Sequence, residues 1–290
     1  LVLAPLAPLA AQAPTPNCSR CAEWNAPQQP LRLFGNSYFV GPHGVSSVLI
    51  TSPGGHVLID GGLSESAPVI AGHIRDLGFR VEDIKLIVNS HVHYDHAGGI
   101  GELQRLSGAR VAASPIAALV LTSGRSARND PQYGLVFPIA QARNVKTIAD
   151  GETLRAGGLE VTAHFTPGHT PGGTSWTWRS CEGARCLDMV YADSVTPVSD
   201  DDFLFTASKD YPNAVADFEK TLAFFERVPC DIVVAAHPDA VDLWTRVTRR
   251  DGGDANALVD RDACKRYAAG GRDQLRKRLA RERANPGRQP

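Results

Sequence analysis

The stretch His91-Val92-His93-Tyr94-Asp95-His96 places three histidines and an aspartate within six residues, in a chain with nine histidines in all. Imidazole nitrogen and carboxylate oxygen are ligands that zinc accepts, and a catalytic zinc site keeps one position open for water. His91 and His93 alternate by two, so on an extended turn both could face one ion. Asp95 and His96 lie beyond, where they could reach a second. A single surface histidine carries no such implication; four ligand-type side chains packed this closely do. Ala97-Gly98-Gly99 follows and is expected to let the backbone turn tightly into a helix.

Two more histidines share a setting. His169 lies in Thr166-Pro167-Gly168-His169-Thr170-Pro171-Gly172-Gly173, a turn-rich loop between two strand-like runs. His237 follows the apolar run Ile232–Ala236 and precedes Pro238. Either alone could be a structural histidine. Both stand where a strand gives way to a loop, as ligands converging on one rim of a sandwich must.

The elements that would carry these residues read as alternating strands and helices. Ser46–Thr51 and His56–Asp60 are expected to form a hairpin around Ser52-Pro53-Gly54-Gly55. Ser66–Leu77 carries Val69, Ile70, Ile74 and Leu77 at helical spacing. Ile84–Asn89 is a short apolar run, expected as a buried strand leading into the histidine cluster. Gly99–Leu106 reads as helix and Ala109–Ala113 as strand. From Ser123 to Asp150 no period is visible, and a long surface excursion is expected. Strands return at Leu159–Phe165, Thr174–Trp178 and Met189–Ala192. An amphipathic helix follows at Ala214–Val228, then a buried strand at Ile232–Ala236 and a closing helix near Asp262–Arg283. No long linker or repeat divides the chain. This order predicts one α/β domain over residues 17–285, with strands sandwiched between helices and a disordered tail at 286–290.

Composition narrows the function classes. The 290 residues are 43% hydrophobic with a formal net charge of −1, enough for a sizeable core and too balanced to suggest nucleic acid or an anionic membrane as partner. The basic stretch Arg272–Arg288 reads as the solvated face of the last helix and its tail. Leu1–Pro16 is small and apolar and ends near Ala11-Gln12-Ala13, like the core and cleavage zone of a secretory signal. The plain alternative is a disordered Ala/Pro arm. Thr15-Pro16-Asn17 before Cys18 argues against a lipid anchor. Six cysteines suit an oxidising compartment, so a periplasmic, monomeric protein acting on a small molecule is expected. Cys181 and Cys186 flank a glycine-containing turn, which suits a local bridge. Sequence leaves all pairings open; the one expected is Cys18–Cys21, Cys181–Cys186 and Cys230–Cys264. Cys18-Ser19-Arg20-Cys21 could also be half of a zinc knuckle, but no second ligand pair stands nearby.

H-x-H-x-D-H at 91–96, T-P-G-H-T-P-G-G at 166–173 and A-H-P at 236–238 resemble the motifs of the metallo-β-lactamase superfamily. Leu58-Ile59-Asp60-Gly61-Gly62, Asp130-Pro131-Gln132-Tyr133, Trp176-Thr177-Trp178 with the Cys181/Cys186 loop, and Tyr191-Ala192-Asp193-Ser194 look like the third subclass of class B β-lactamases. The likeness runs from about Trp24 to Tyr267. It implies a four-layer αββα sandwich and two zinc ions, the first on His91, His93 and His169, the second on Asp95, His96 and His237. The other subclasses place a cysteine on the second zinc, where this chain offers Ser194. The resemblance also implies Asp95 as the catalytic residue that helps orient a zinc-bridged hydroxide. Ser194, Thr196 and Gln132 become donors to the carboxylate beside the lactam ring. Asp60 is expected to brace a buried loop. Asp193 is open between a structural role and the metal-bridging role of its counterpart in hydrolases such as glyoxalase II. Val195–Leu204 lacks the tyrosine that some relatives place near the oxyanion, and His43 stands where some close relatives have a cysteine.

The activity so implied is hydrolysis of the β-lactam amide of penicillins, cephalosporins and carbapenems, conferring antibiotic resistance, with no acyl-enzyme. A glyoxalase II-like thioesterase or a lactonase would share every zinc ligand. The leader, the cysteines and Ser194 argue against that rival. A nucleic-acid-processing protein on the same scaffold would need a basic cleft, and a non-catalytic zinc binder would have little use for six ligands.

Overall fold

A computed structural model describes residues 18–284. The expected leader at 1–16 and tail at 286–290 lie outside the described residues. Seven strands form one sheet in chain order: β1 (Leu31–Phe34), β2 (Ser37–Phe39), β3 (Val48–Ile50), β4 (His56–Ile59), β5 (Ile84–Val88), β6 (Arg110–Ala113) and β7 (Lys146–Thr147). Five more, β8 (Thr153–Ala156), β9 (Leu159–Phe165), β10 (Thr174–Glu182), β11 (Arg185–Ala192) and β12 (Ile232–Ala235), form the second sheet, ordered β12-β11-β10-β9-β8. The first sheet is antiparallel from β1 to β4 and parallel from β4 to β7. In the second, β12 lies parallel to β11 and the other neighbours are antiparallel. The helices are α1 (Cys21–Trp24), α2 (Ser66–Asp76), α3 (Tyr94–Ala97), α4 (Ile100–Ser107), α5 (Pro115–Ser123), α6 (Ala214–Phe225), α7 (Leu243–Asp251) and α8 (Ala263–Ala284).

Side chains alternate faces along a strand, and the central strands bury both faces. Val48, Ile50, Val57, Ile59, Leu86 and Val88 pack with Trp176, Met189 and Tyr191 between the sheets. Their alternates Leu49, Leu58 and Ile87 pack under Ile70 and Ile74 of α2, Leu103 of α4 and Leu121 of α5. On the far side of the second sheet, Phe218, Leu222 and Phe225 of α6 and Leu275 of α8 join the core that contains Val233. Each fully buried aliphatic chain stabilises by roughly 1.5–3 kcal/mol. Helix, sheet, sheet and helix therefore stack in four layers, which explains why these strands read as continuous apolar runs.

The expected hairpin at Ser46–Asp60 is β3 and β4, with Val48 opposite Ile59. The runs expected at Thr174–Trp178 and Met189–Ala192 are the inner parts of one longer hairpin, β10 and β11. Its outer half carries the directly paired, disulfide-linked Cys181 and Cys186 and ends one pair further on, at Glu182 and Arg185. Cys18–Cys21 and Cys230–Cys264 complete the expected pairing. The β1–β2 hairpin, α5 and α7 were not anticipated. For α5 the signals are local: Ser114 caps it by accepting from Ala117 N–H, Pro115 opens it, and Gly124 closes it at φ 72°. Its apolar residues surround the helix, which hides the period. No helix among the described residues is long and apolar enough to cross a membrane.

Candidate metal centre

Ligand-type residues from both sheets gather where strands end on one rim. His91, His93, Asp95 and His96 follow β5, His169 follows β9, and His237 follows β12; Asp60 and Asp193 leave β4 and β11 at the same rim. The loop after β5 is pinned on both sides. Ser90 N–H and Oγ–H donate to the two oxygens of Asp60 at 2.6 Å each, and Tyr191 O–H donates to Asp60 Oδ2 at 2.7 Å. Thr174 N–H reaches Ser90 O at 2.8 Å, and Trp176 Nε1–H reaches Asn89 O at 2.9 Å. Asp60 is wholly buried at φ 61°, a left-handed conformation uncommon outside glycine. Its three donors hold it there, so Asp60 braces the loop, as expected from the sequence.

The chain then enters α3, with Ala97 N–H bonding back to His93 O at 2.8 Å. Asp95 and His96 thus project from a helical turn. Gly98 and Gly99 have ordinary helical φ values of −57° and −86°, so the tight turn expected of them does not rest on glycine's backbone freedom. Room is the requirement. A Cβ on Gly98 would stand 2.3 Å from Tyr94 O, and one on Gly99 2.3 Å from Gly61 O.

The imidazoles present two kinds of nitrogen. His91 Nδ1 donates to Asp193 Oδ1 at 2.8 Å, His93 Nε2 to Asp130 Oδ1 at 3.1 Å, and His169 Nδ1 to Thr196 O at 2.7 Å. Their donor atoms lie within 4.8 Å of one another, and His91 Nε2 is buried with no partner. In the second group, Asp95 Oδ2, His96 Nε2 and His237 Nε2 close a triangle with sides of 3.2, 3.3 and 3.4 Å. Tetrahedral ligands about 2.0–2.1 Å from one zinc stand about 3.3 Å apart. His237 Nδ1 donates to Gly44 O at 3.0 Å. Outer acceptors that orient inner ligands are the arrangement expected around a metal. The donor sets fit two ions.

Electrostatics divide the imidazoles, keeping His91 and His169 neutral and ready to ligate while favouring protons on His93 and His237. Burial holds His91 well below the ordinary imidazole range, with neighbouring imidazoles adding to it, and burial pushes His169 down to about 3. Burial opposes charge on His93 and His237, but Asp130 and Asp95 respectively outweigh it and raise them. For Asp95, burial is overcome by His96 and His237, which keep the carboxyl well below its usual range. Burial drives Asp193 far above that range. This aspartate stands behind His91, on the side away from its free Nε2.

A cavity of about 440 Å³ opens over these atoms. Gln132 and Thr196 line it, with Gln132 Nε2 3.5 Å from His93 Nδ1 and Thr196 Oγ1 3.2 Å from His169 Nδ1. Ser194 is buried one residue after Asp193, donates its N–H to Asp193 Oδ1, and is not among the cavity-lining residues. The opposite wall was missed in the sequence. Trp24 of α1, with Arg20 and Glu23, faces the cavity beside Tyr94 and Val136. Trp24 and its flanking cysteine pair were the available signal, but α1 is too short to show a period. Asp130 stands within the Asp130-Pro131-Gln132-Tyr133 stretch, and only folding brings it to His93.

Residues 40–237 match the model of the metallo-beta-lactamase superfamily. The chain is 54% identical to the Rm3 metallo-beta-lactamase, with a TM-score of 0.91 over 92% of this chain and 100% of that one. It is 52% identical to MEM-A1, a subclass B3 metallo-beta-lactamase isolated from a soil metagenome library, with a TM-score of 0.89 over 90% and 99%. A more distant relative is the N-acyl homoserine lactonase AttM of Agrobacterium fabrum, 27% identical over 221 residues, 66% of this chain and 81% of that one. By its matched span, its two-sheet sandwich and its rim of histidines, the chain belongs to the metallo-β-lactamase superfamily, with its strong structural likeness to subclass B3 members.

Proposed function

We propose that the chain is a periplasmic, monomeric, zinc-dependent β-lactamase of the third subclass, acting on penicillins, cephalosporins and carbapenems. The observation that carries the metal-site part of this reading is the triangle of Asp95, His96 and His237. It is complete without a thiol, since no cysteine among the described residues is free. Likeness to Rm3 and MEM-A1, both named as β-lactamases, supports the substrate class. The disulfides support export.

His91, His93 and His169 would hold one zinc, and Asp95, His96 and His237 the other. Zinc bound there supplies a nucleophile from water at neutral pH and draws charge from the carbonyl under attack. The chain contributes position. Asp193, Asp130 and Thr196 fix the tautomer and tilt of the first three imidazoles. Asp95 lines the cavity, and its carboxylate would accept a hydrogen bond from the attacking water and orient it. Gln132 and Thr196 would donate to the carboxylate beside the lactam ring, while Ser194, buried and outside the cavity lining, would not reach it. Trp24, Tyr94 and Val136 would face the apolar body of the substrate.

The likeness to AttM supports lactone hydrolysis as a second reading. Asp193 weighs against it and against a glyoxalase II-like thioesterase, because its Oδ1 is engaged behind His91 and not between the two donor sets. The test is turnover of a carbapenem, a cephalosporin, an acyl homoserine lactone and a thioester by the purified protein, before and after chelation and zinc re-addition. β-Lactam turnover lost to chelator and restored by zinc is expected. Turnover confined to the lactone or thioester would move the function to the rival class.

A further inference from the structure

We infer that the N-terminal turn Cys18–Trp24 is a positioning element for the second metal, holding His237 through the backbone of Gly44. The inference rests on the reading of Asp95, His96 and His237 as ligands of that metal.

His237 is the loosest member of its triangle. Its side chain is 33% exposed, against 7% for Asp95 and 0% for His96. Packing fixes His96, whereas His237 depends on specific contacts. Its Nδ1 donates to Gly44 O at 3.0 Å, and the Trp24 indole lies 5.5 Å from its ring at 42°. Gly44 in turn donates its N–H to Trp24 O at 3.0 Å, and His43 N–H donates to Ala26 O at 2.9 Å. One residue therefore joins the N-terminal turn to the ligand, taking the turn on its N–H and the imidazole on its carbonyl.

The contact is close enough to demand glycine. A Cβ at position 44 would meet Trp24 Cα at 2.6 Å and Glu23 O at 3.1 Å. Gly44 is not among the glycines at positive φ, so its requirement is space. The turn itself needs support, since a four-residue helix has no independent stability. Cys18–Cys21 supplies it, with Cys21 packed against Val45 and Leu63. Cys18 Sγ also lies 3.2 Å from the hydroxyl of Tyr94, the neighbour of Asp95. The turn thus borders the second donor set at two places, at His237 through Gly44 and Trp24 and beside Asp95 through Tyr94.

Two variants test this in the full-length protein: Gly44→Ala, which forces the turn away while keeping both backbone groups, and Cys18→Ser with Cys21→Ser, which unpins it. Zinc is titrated against a chromophoric chelator, and thermal unfolding of the zinc-free proteins is recorded alongside. Both variants are expected to lose about 10–100-fold in affinity for one zinc with the other zinc little changed, while the zinc-free unfolding temperature stays close to that of the unaltered protein for Gly44→Ala and falls by only a few degrees for the serine pair. Two zincs bound as tightly as by the unaltered protein would overturn the inference and leave the turn as a cavity wall. Equal weakening of both zincs, or an unaltered protein that binds fewer than two, would also overturn it. Failure of the unaltered protein to hydrolyse β-lactams would refute the proposed substrate and leave the zinc comparison standing.

Discussion

Asp193 Oδ1 accepts a hydrogen bond from His91 Nδ1 at 2.8 Å, so a loop of the second sheet sets the ring of a candidate ligand carried by the first. Replacing Asp193 by Ala leaves that N–H unopposed in a buried site. Affinity for the first zinc is expected to fall about 10–100-fold. A chelator-competition titration measures it, and an unchanged affinity would show that packing alone orients His91.

Asp60 gathers three buried donors: Ser90 N–H, Ser90 Oγ–H and Tyr191 O–H. Asp60→Ala strands the two Ser90 donors, leaves Tyr191 O–H only its bond to Ser46 O at 3.0 Å, and places a Cβ residue without side-chain support at φ 61°. Each stranded buried donor costs about 1–3 kcal/mol. Denaturant unfolding of the zinc-free protein should therefore show a loss of about 2 kcal/mol or more. A loss under about 1 kcal/mol would mean that water replaces the carboxylate.

Acid acts on the imidazoles with two signs. His91 and His169 are depressed, so in the zinc-free fold they stay neutral while the unfolded chain's imidazoles protonate; their contribution to stability falls as pH drops below about 6.5. His93 and His237 are raised, so theirs is full below about 6.5 and is lost as pH rises through their folded values. These two bind protons first and so compete first with zinc. Zinc content followed by elemental assay should be full at about pH 7.5 and largely lost at about pH 4.5. Equal content at both would contradict the assignment of His93 and His237 as ligands.

Gln132 and Thr196 line the cavity without carrying a ligand atom in either donor set. Gln132→Ala and Thr196→Val each remove one neutral donor worth about 1 kcal/mol. An increase of about fivefold in KM, with kcat and zinc content close to those of the unaltered protein, is the expected result. A fall in kcat with KM constant would place the removed group at the reacting bond and not at the substrate carboxylate.

Cys230–Cys264 closes a separation of 34 residues and Cys181–Cys186 one of 5. Loop-closure entropy assigns about 4 and about 2 kcal/mol to them. Serine pairs at 230/264 should destabilise more than pairs at 181/186 in denaturant melts. The reverse order would point to the β10–β11 tip as the more strongly coupled region.

The candidate ligands were legible because their chemistry is written locally. H-x-H-x-D-H needs no knowledge of the fold, and His169 and His237 each announce themselves by a strand-to-loop exit. The four layers were legible from the order of apolar runs, since Leu49, Leu58 and Ile87 fill one face and their neighbours the other. What stayed hidden is made by tertiary contact. Asp130 reaches His93 across 37 residues and Gly44 reaches His237 across 193; no spacing rule connects such pairs. The length of the β10–β11 hairpin was hidden because its outer half is mostly polar, with Ser180 rather than an apolar residue at the buried position of β10.

Asp60 on the first sheet is tied to Tyr191 on the second, and His91 to Asp193, so the rim is sewn across the sandwich at two points beside the donor sets. An ion held at this rim acts as a rivet between the two halves. Ligand occupancy and closure of the sandwich then rise and fall together by mass action. Amide exchange after chelation should quicken in the rim loops while the strands beneath stay protected, and the durability of the folded protein becomes a property of its metal supply as much as of its core.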